Sequence, residues 1–97
     1  MLFTINKPIL SSNAFVSALR IAPDDSPCLL YEDGVYNVLQ GAETEAIVKK
    51  AAQTHPIFAI DIDLKARGIK NVIEGIEIIS YDGFVQLLEE HDAVPFL

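Results

Sequence analysis

The sequence predicts an α/β fold: a small layered domain with a mainly parallel four- to five-stranded sheet and helices on both faces. Short apolar runs recur at Leu2–Ile5, Cys28–Tyr31, Ile57–Ile60 and Ile76–Ile79, and stretches with helical apolar spacing separate them. Hydrophobic residues make up 51% of the 97 residues, enough for a packed core. Alternation of strand and helix implies βαβ units with right-handed crossovers. The length corresponds to one domain, expected over residues 1–97.

Each element has a local reason. The first three runs are nearly continuous apolar stretches, as a strand needs when both sheet faces are covered. Ile76-Glu77-Ile78-Ile79 carries one charge and is expected near an edge. Phe15, Ala18, Leu19 and Ala22 follow i, i+3, i+4, i+7 spacing after the capping candidates Ser11-Ser12-Asn13, and Pro23 closes that helix. Ile47, Val48, Ala51 and Ala52 form a second stripe, with Glu45 four residues before Lys49 as a supporting ion pair. Asp61 to Gly68 reads as a short helix with an acidic start, a basic end and a glycine stop. Phe84, Leu87, Leu88 and His91 form the last stripe, entered from Ser80 or Asp82. The apolar tail Ala93-Val94-Pro95-Phe96-Leu97 is expected to pack on the body or on another subunit, and Pro95 limits its use as a central strand.

Charge narrows the function classes. Seven Lys+Arg against fourteen Asp+Glu give a formal charge of −7. Direct nucleic-acid binding and an anionic membrane surface are not expected, because both need clustered cations. One cysteine excludes an internal disulfide framework, CxxC chemistry and a cysteine-based zinc site within one chain. The start Met1-Leu2-Phe3-Thr4-Ile5 lacks a cationic region before it, and a cytoplasmic location is expected.

Ligands of open parallel sheets bind beyond the carboxyl ends of the strands. Those ends carry Glu32-Asp33-Gly34, Asp61 and Asp63, and Tyr81-Asp82, an acidic rim. Such carboxylates suit a divalent-metal or phosphoacceptor module of receiver type, or simply helix caps at Asp33, Asp61, Asp63 and Asp82. No phosphate loop or serine-nucleophile motif occurs, and no metal site or cofactor is expected. His55 and His91 read as surface or helix-end residues rather than bases. Cys28 opens an apolar strand, about 13 Å from Glu32 at about 3.3 Å per residue, and reads as structural; its reactive alternative is a stand-alone persulfide carrier.

The run Leu29-Leu30-Tyr31-Glu32-Asp33-Gly34-Val35-Tyr36, then Asp63-Leu64-Lys65-Ala66-Arg67-Gly68, then Ser80-Tyr81-Asp82-Gly83-Phe84-Val85-Gln86-Leu87, resembles the TusB/DsrH family. The opening Leu2-Phe3-Thr4-Ile5-Asn6-Lys7-Pro8 is similar to that family's start. The resemblance implies a DsrEFH-like fold and an accessory, non-catalytic subunit of a TusBCD-like sulfur-relay complex serving 2-thiolation of the tRNA wobble uridine. The alternative is the DsrH-like subunit of a DsrEFH complex in sulfur oxidation. The implied partners are TusC/DsrF-like and TusD/DsrE-like subunits in a heterohexamer, with a TusA-like donor and a TusE/DsrC-like acceptor. The sulfur-carrying cysteine would belong to the TusD/DsrE-like subunit. Some DsrH-like members carry a cysteine in the first helix, where this chain has Ser17-Ala18-Leu19-Arg20. Glu32, Asp33, Gly34, Asp63, Arg67, Gly68, Tyr81 and Phe96 are expected to shape the rim or the partner interface.

Overall fold

The computed structural model describes residues 1–96; Leu97 of the apolar tail lies outside the described residues. The chain runs β1 (Leu2–Ile5), α1 (Ala14–Ile21), β2 (Cys28–Leu30), α2 (Glu45–Ala52), β3 (Ile57–Ile60), α3 (Asp61–Ala66), β4 (Glu77–Ile79), α4 (Tyr81–Glu90) and β5 (Ala93–Phe96). The strands form one parallel sheet in the order β4-β3-β2-β1-β5. Short 3-10 segments, Ile9–Ser11 and Glu32–Val38, follow β1 and β2. The second of these has no counterpart in the sequence reading, because seven residues of tight turn carry no helical periodicity.

Strand order and handedness together decide the layers. From β1 to β4 every crossover steps the same way across the sheet, so right-handedness sends α1, α2 and α3 to one face. The step from β4 back to β5 runs the other way and sends α4 alone to the opposite face. The packing follows. Phe3, Ile5, Cys28, Leu30, Ile57 and Ala59 point into the larger core with Phe15, Ala18, Val35, Val38, Val48, Ala51 and Leu64. Leu2, Leu29 and Ile60 form the smaller one, closed by half-buried Phe84 and Leu87 of α4 with Tyr31, Phe58 and Ile79.

Ser12 Oγ accepts the Ala14 N–H of α1 at 3.1 Å, and Ser80 Oγ accepts the Gly83 N–H of α4 at 3.2 Å, so Ser80 rather than Asp82 starts the last helix. In α2, Val48 and Ala51 are buried while Ile47 is 43% exposed, a narrower inward face than its stripe suggested. Glu45 Oε1 accepts the Gly41 N–H at 2.8 Å and Oε2 meets Lys49 Nζ at 3.2 Å; these contacts, the backbone one first, lower the Glu45 carboxyl below its usual value. The α3 stop is a Schellman turn: Ile69 N–H donates to Leu64 O at 3.0 Å and Gly68 N–H to Lys65 O at 3.1 Å, with Gly68 at φ +67.

The tail pairs with β1 as an edge strand, Leu2 opposite Ala93 and Ile5 opposite Phe96. Leu2 N–H donates to Asp92 O at 2.9 Å, so alternate residues of β5 turn their main chain toward β1 and Pro95 turns its missing donor outward. At the other edge, β4 is mostly exposed, as its glutamate suggests.

Gly34 is where Glu32–Val38 crosses beneath β1. A Cβ there would stand 2.2 Å from the Ile5 carbonyl oxygen, which is backbone and cannot rotate away. Gly34→Ala is expected to cost about 2–3 kcal/mol, as overpacking against a fixed group does, measurable as a lower urea midpoint at unchanged m-value. An unaltered midpoint would mean that the two segments are less tightly apposed.

Candidate functional site: the carboxyl-end rim

Beyond the carboxyl ends of β2 and β3, two charged contacts join segments about thirty residues apart in sequence. Asp63 Oδ2 accepts the Glu32 N–H at 2.8 Å, holding Glu32 at φ +48, a left-handed conformation uncommon for a residue with a Cβ. Arg67 Nε donates to Asp33 Oδ1 at 2.9 Å, and Arg67 Nη1 donates to the Asp63 carbonyl oxygen at 3.2 Å. Arg67 Nη1 also lies 3.7 Å from Asp63 Oδ1. Glu32, Asp33, Asp63 and Arg67 are thus one cluster, with Gly34 beneath it and Gly68 ending the helix that carries Arg67.

The capping pattern differs from the local one that the sequence suggested. Asp63 serves as a cap at long range, on the segment that begins at Glu32, and Asp33 is an ion-pair partner. Asp61 and Asp82 stand in the first turns of α3 and α4 without capping them. Among the described residues, no three His, Cys, Asp or Glu side chains converge as metal ligands would.

A second part of the rim is aromatic. Tyr31 stacks on Phe84 with centroids 6.4 Å apart, and Tyr81 meets the same ring edge-on at 5.6 Å. Beside them an open cleft of about 300 Å³ is lined by Asp61, Ile62, Lys65, Ser80, Tyr81 and Asp82. Phe96 is elsewhere: it packs edge-on against Phe3 at 6.2 Å, on the edge strand farthest from β4.

Asn37 is a residue that sequence reasoning missed. Only 1% exposed, it accepts the Ile9 N–H at 2.8 Å and donates to Lys7 O at 3.1 Å, tying the loop after β1 to the segment after β2. Its one sequence signal is an amide within the apolar run Val35-Tyr36-Asn37-Val38.

The family model described as DsrH like protein matches residues 9–94. The chain belongs to the DsrH-like family. Among solved structures it is similar to the ychN protein from E. coli, with a TM-score of 0.83 at 21% identity over 98% of this chain and 97% of that one. A protein of unknown function from Methanobacterium thermoautotrophicum follows at TM-score 0.70 and 19% identity, covering 97% and 96%. A Thermotoga maritima protein solved by solution NMR has TM-score 0.63 and 24% identity, covering 95% of each chain. At these identities the likeness is one of fold. No curated protein sequence matches the chain.

In this DsrH-like chain the sole cysteine is sealed in. Cys28 is 0% exposed, within the larger core, and burial pushes its thiol well above the ordinary value. The nucleophilic form of cysteine is the thiolate, which burial disfavours at this covered sulfur. His55, read from sequence as a surface residue, is 4% exposed; its Nδ1 lies 2.9 Å from the Ser26 carbonyl oxygen, which fixes that nitrogen as the donor, and its ring meets Phe3 edge-on at 5.5 Å. His91 ends α4. Among the described residues, no helix is long and apolar enough to cross a membrane.

Two expectations follow from the cluster and the core. Asp63→Ala is expected to cost about 1–2 kcal/mol, since it strips the cap from the segment that begins at Glu32 and also removes a carboxylate beside Arg67, whereas Asp33→Ala, at an exposed ion pair, is expected to cost about 0.5 kcal/mol or less. Urea unfolding of both variants checks the contrast, and equal losses would mean that the exposed pair matters as much as the cap. Alkylation of the native chain by iodoacetamide is expected to be slow and to accelerate sharply in denaturant; rapid native labelling would show Cys28 to be accessible.

Proposed function

We propose that the chain is an accessory, non-catalytic subunit of a cytoplasmic TusBCD-like complex that relays persulfide sulfur toward 2-thiolation of the tRNA wobble uridine. Membership of the DsrH-like family, over residues 9–94, supports a sulfur-relay subunit in general terms. The observation that carries the accessory role is the complete burial of Cys28 in a chain with one cysteine.

In a relay step, an acceptor thiolate attacks the outer sulfur of a donor persulfide. A new S–S bond forms, the old one breaks, and the donor cysteine leaves as a thiolate. Both sulfurs must be approachable in line, which a core cysteine denies. The reactive thiol therefore resides on a sister chain, TusD/DsrE-like, with a TusC/DsrF-like subunit completing the assembly. A TusA-like donor and a TusE/DsrC-like acceptor then dock on the complex. The charged cluster at Glu32, Asp33, Asp63 and Arg67, with Tyr81 beside the cleft, forms a partner-facing rim in this reading. The formal charge of −7 suits contacts with proteins rather than with tRNA itself.

Reconstitution with the sister chains tests the proposal. Cys28→Ala is expected to leave sulfur transfer to the TusE-like acceptor unchanged, read by intact mass, while omission of this chain abolishes it. Loss of transfer from an intact complex carrying Cys28→Ala would overturn the accessory role. Deletion of the chain in its native cells is expected to lower 2-thiouridine in tRNA; full thiolation with impaired sulfur oxidation would assign it to a DsrEFH-like complex instead.

A further inference from the structure

We propose that the outer face of α4 is a docking ridge for a different protein chain, one that presents an apolar groove bordered by lysine or arginine. The proposal takes only the candidate partners from the relay reading; the surface and its chemistry come from α4 itself.

The helix is half used by its own fold. Phe84 and Leu87 turn toward the sheet and help close the smaller core, yet none of the ten residues of α4 is fully buried. Tyr81, Val85 and Leu88 follow i, i+4, i+7 spacing and therefore make one stripe beside the inward pair. They are 61%, 36% and 39% exposed. At the start of the helix, Ile62 of α3, 62% exposed, lines the same cleft as Tyr81 and lengthens the apolar surface. A contiguous exposed stripe of large apolar side chains is the mark of an interaction surface.

Charge selects the occupant. Asp82 and Glu89 border the stripe at its two ends, and the last turn contains Glu90 as well but no basic residue. Carboxylates at a helix carboxyl end face the negative pole of the helix dipole; Gln86 Nε2 donates to Glu90 Oε1 at 3.0 Å, but among the described residues neither Glu89 nor Glu90 is in an ion pair. The nearby cation, Lys65, lies in the cleft with Asp61 and Asp82, at the opposite end of the helix. A partner with cationic groups around an apolar groove neutralises Glu89 and Glu90 as it covers Val85 and Leu88. A second copy of this chain does not. A twofold pair centred on Val85 brings Asp82 of one protomer near Glu89 of its partner where the helices run antiparallel, and Glu89 beside Glu89 where they run parallel, like charge against like in both.

Two helical peptides with a leucine stripe, one flanked by lysine and the other by glutamate, are the probes, titrated into the isotope-labelled full chain and followed by NMR. The lysine peptide is expected to shift α4 amides and to bind at least about tenfold more tightly than its glutamate twin, with added salt narrowing the gap. Val85→Asp is expected to weaken it by about tenfold or more. Glu89→Lys, which leaves the apolar stripe, Asp82 and Glu90 intact, is expected to narrow the peptide preference and guards against a folding defect in the first variant. Shifts centred away from α4, equal binding of the two peptides, or concentration-dependent self-association through α4 would each overturn the proposal. In the reconstituted complex, α4 amides are expected to gain protection from hydrogen exchange. A complete complex with unprotected α4 overturns the ridge and leaves the relay reading standing. Failure to form any complex with the sister chains counts against the relay reading, and the peptide titration then decides the ridge alone.

Discussion

The right-handedness of the βαβ crossover governs this molecule more than any single contact. Three crossovers step the same way, and their helices crowd onto one face with two 3-10 segments. The last returns across the sheet and must lie on the other. The result is an asymmetric sandwich, with one thick apolar layer and one thin layer that rests on a few side chains of α4. Burial of Cys28 follows directly, since its register opposite Phe3 and Ile57 places it on the thick side.

Much of this architecture was legible from residue order. Nearly continuous apolar runs marked β1, β2 and β3, and a single glutamate marked β4 as peripheral. Ser80 and Gly68 bounded their helices by local chemistry that needs no tertiary partner. The tail's use as a strand was not legible, because pairing with β1 depends on a return across the whole sheet. Glu32–Val38 was hidden for a different reason: its residues follow neither the period of a strand nor that of an α-helix.

The rim shows the same division. Its acidic residues were visible at strand ends, but their partners were not. Arg67 reaches Asp33 across 34 positions, and Asp63 reaches Glu32 across 31, distances over which local spacing carries no information. His55 resembled a surface residue because His-Pro often opens a strand; its burial depends on the Ser26 carbonyl that comes to meet it. Asn37 likewise gains its role only when two loops from neighbouring strands converge on one amide.

Pro95 has a further effect on what the molecule can become. Because its ring nitrogen faces away from β1, the border of the sheet at β5 has a gap in its row of donors where another backbone would attach. Continuous growth of the sheet from one molecule into the next is discouraged on that flank. Contacts on that flank fall to side chains rather than to main-chain pairing.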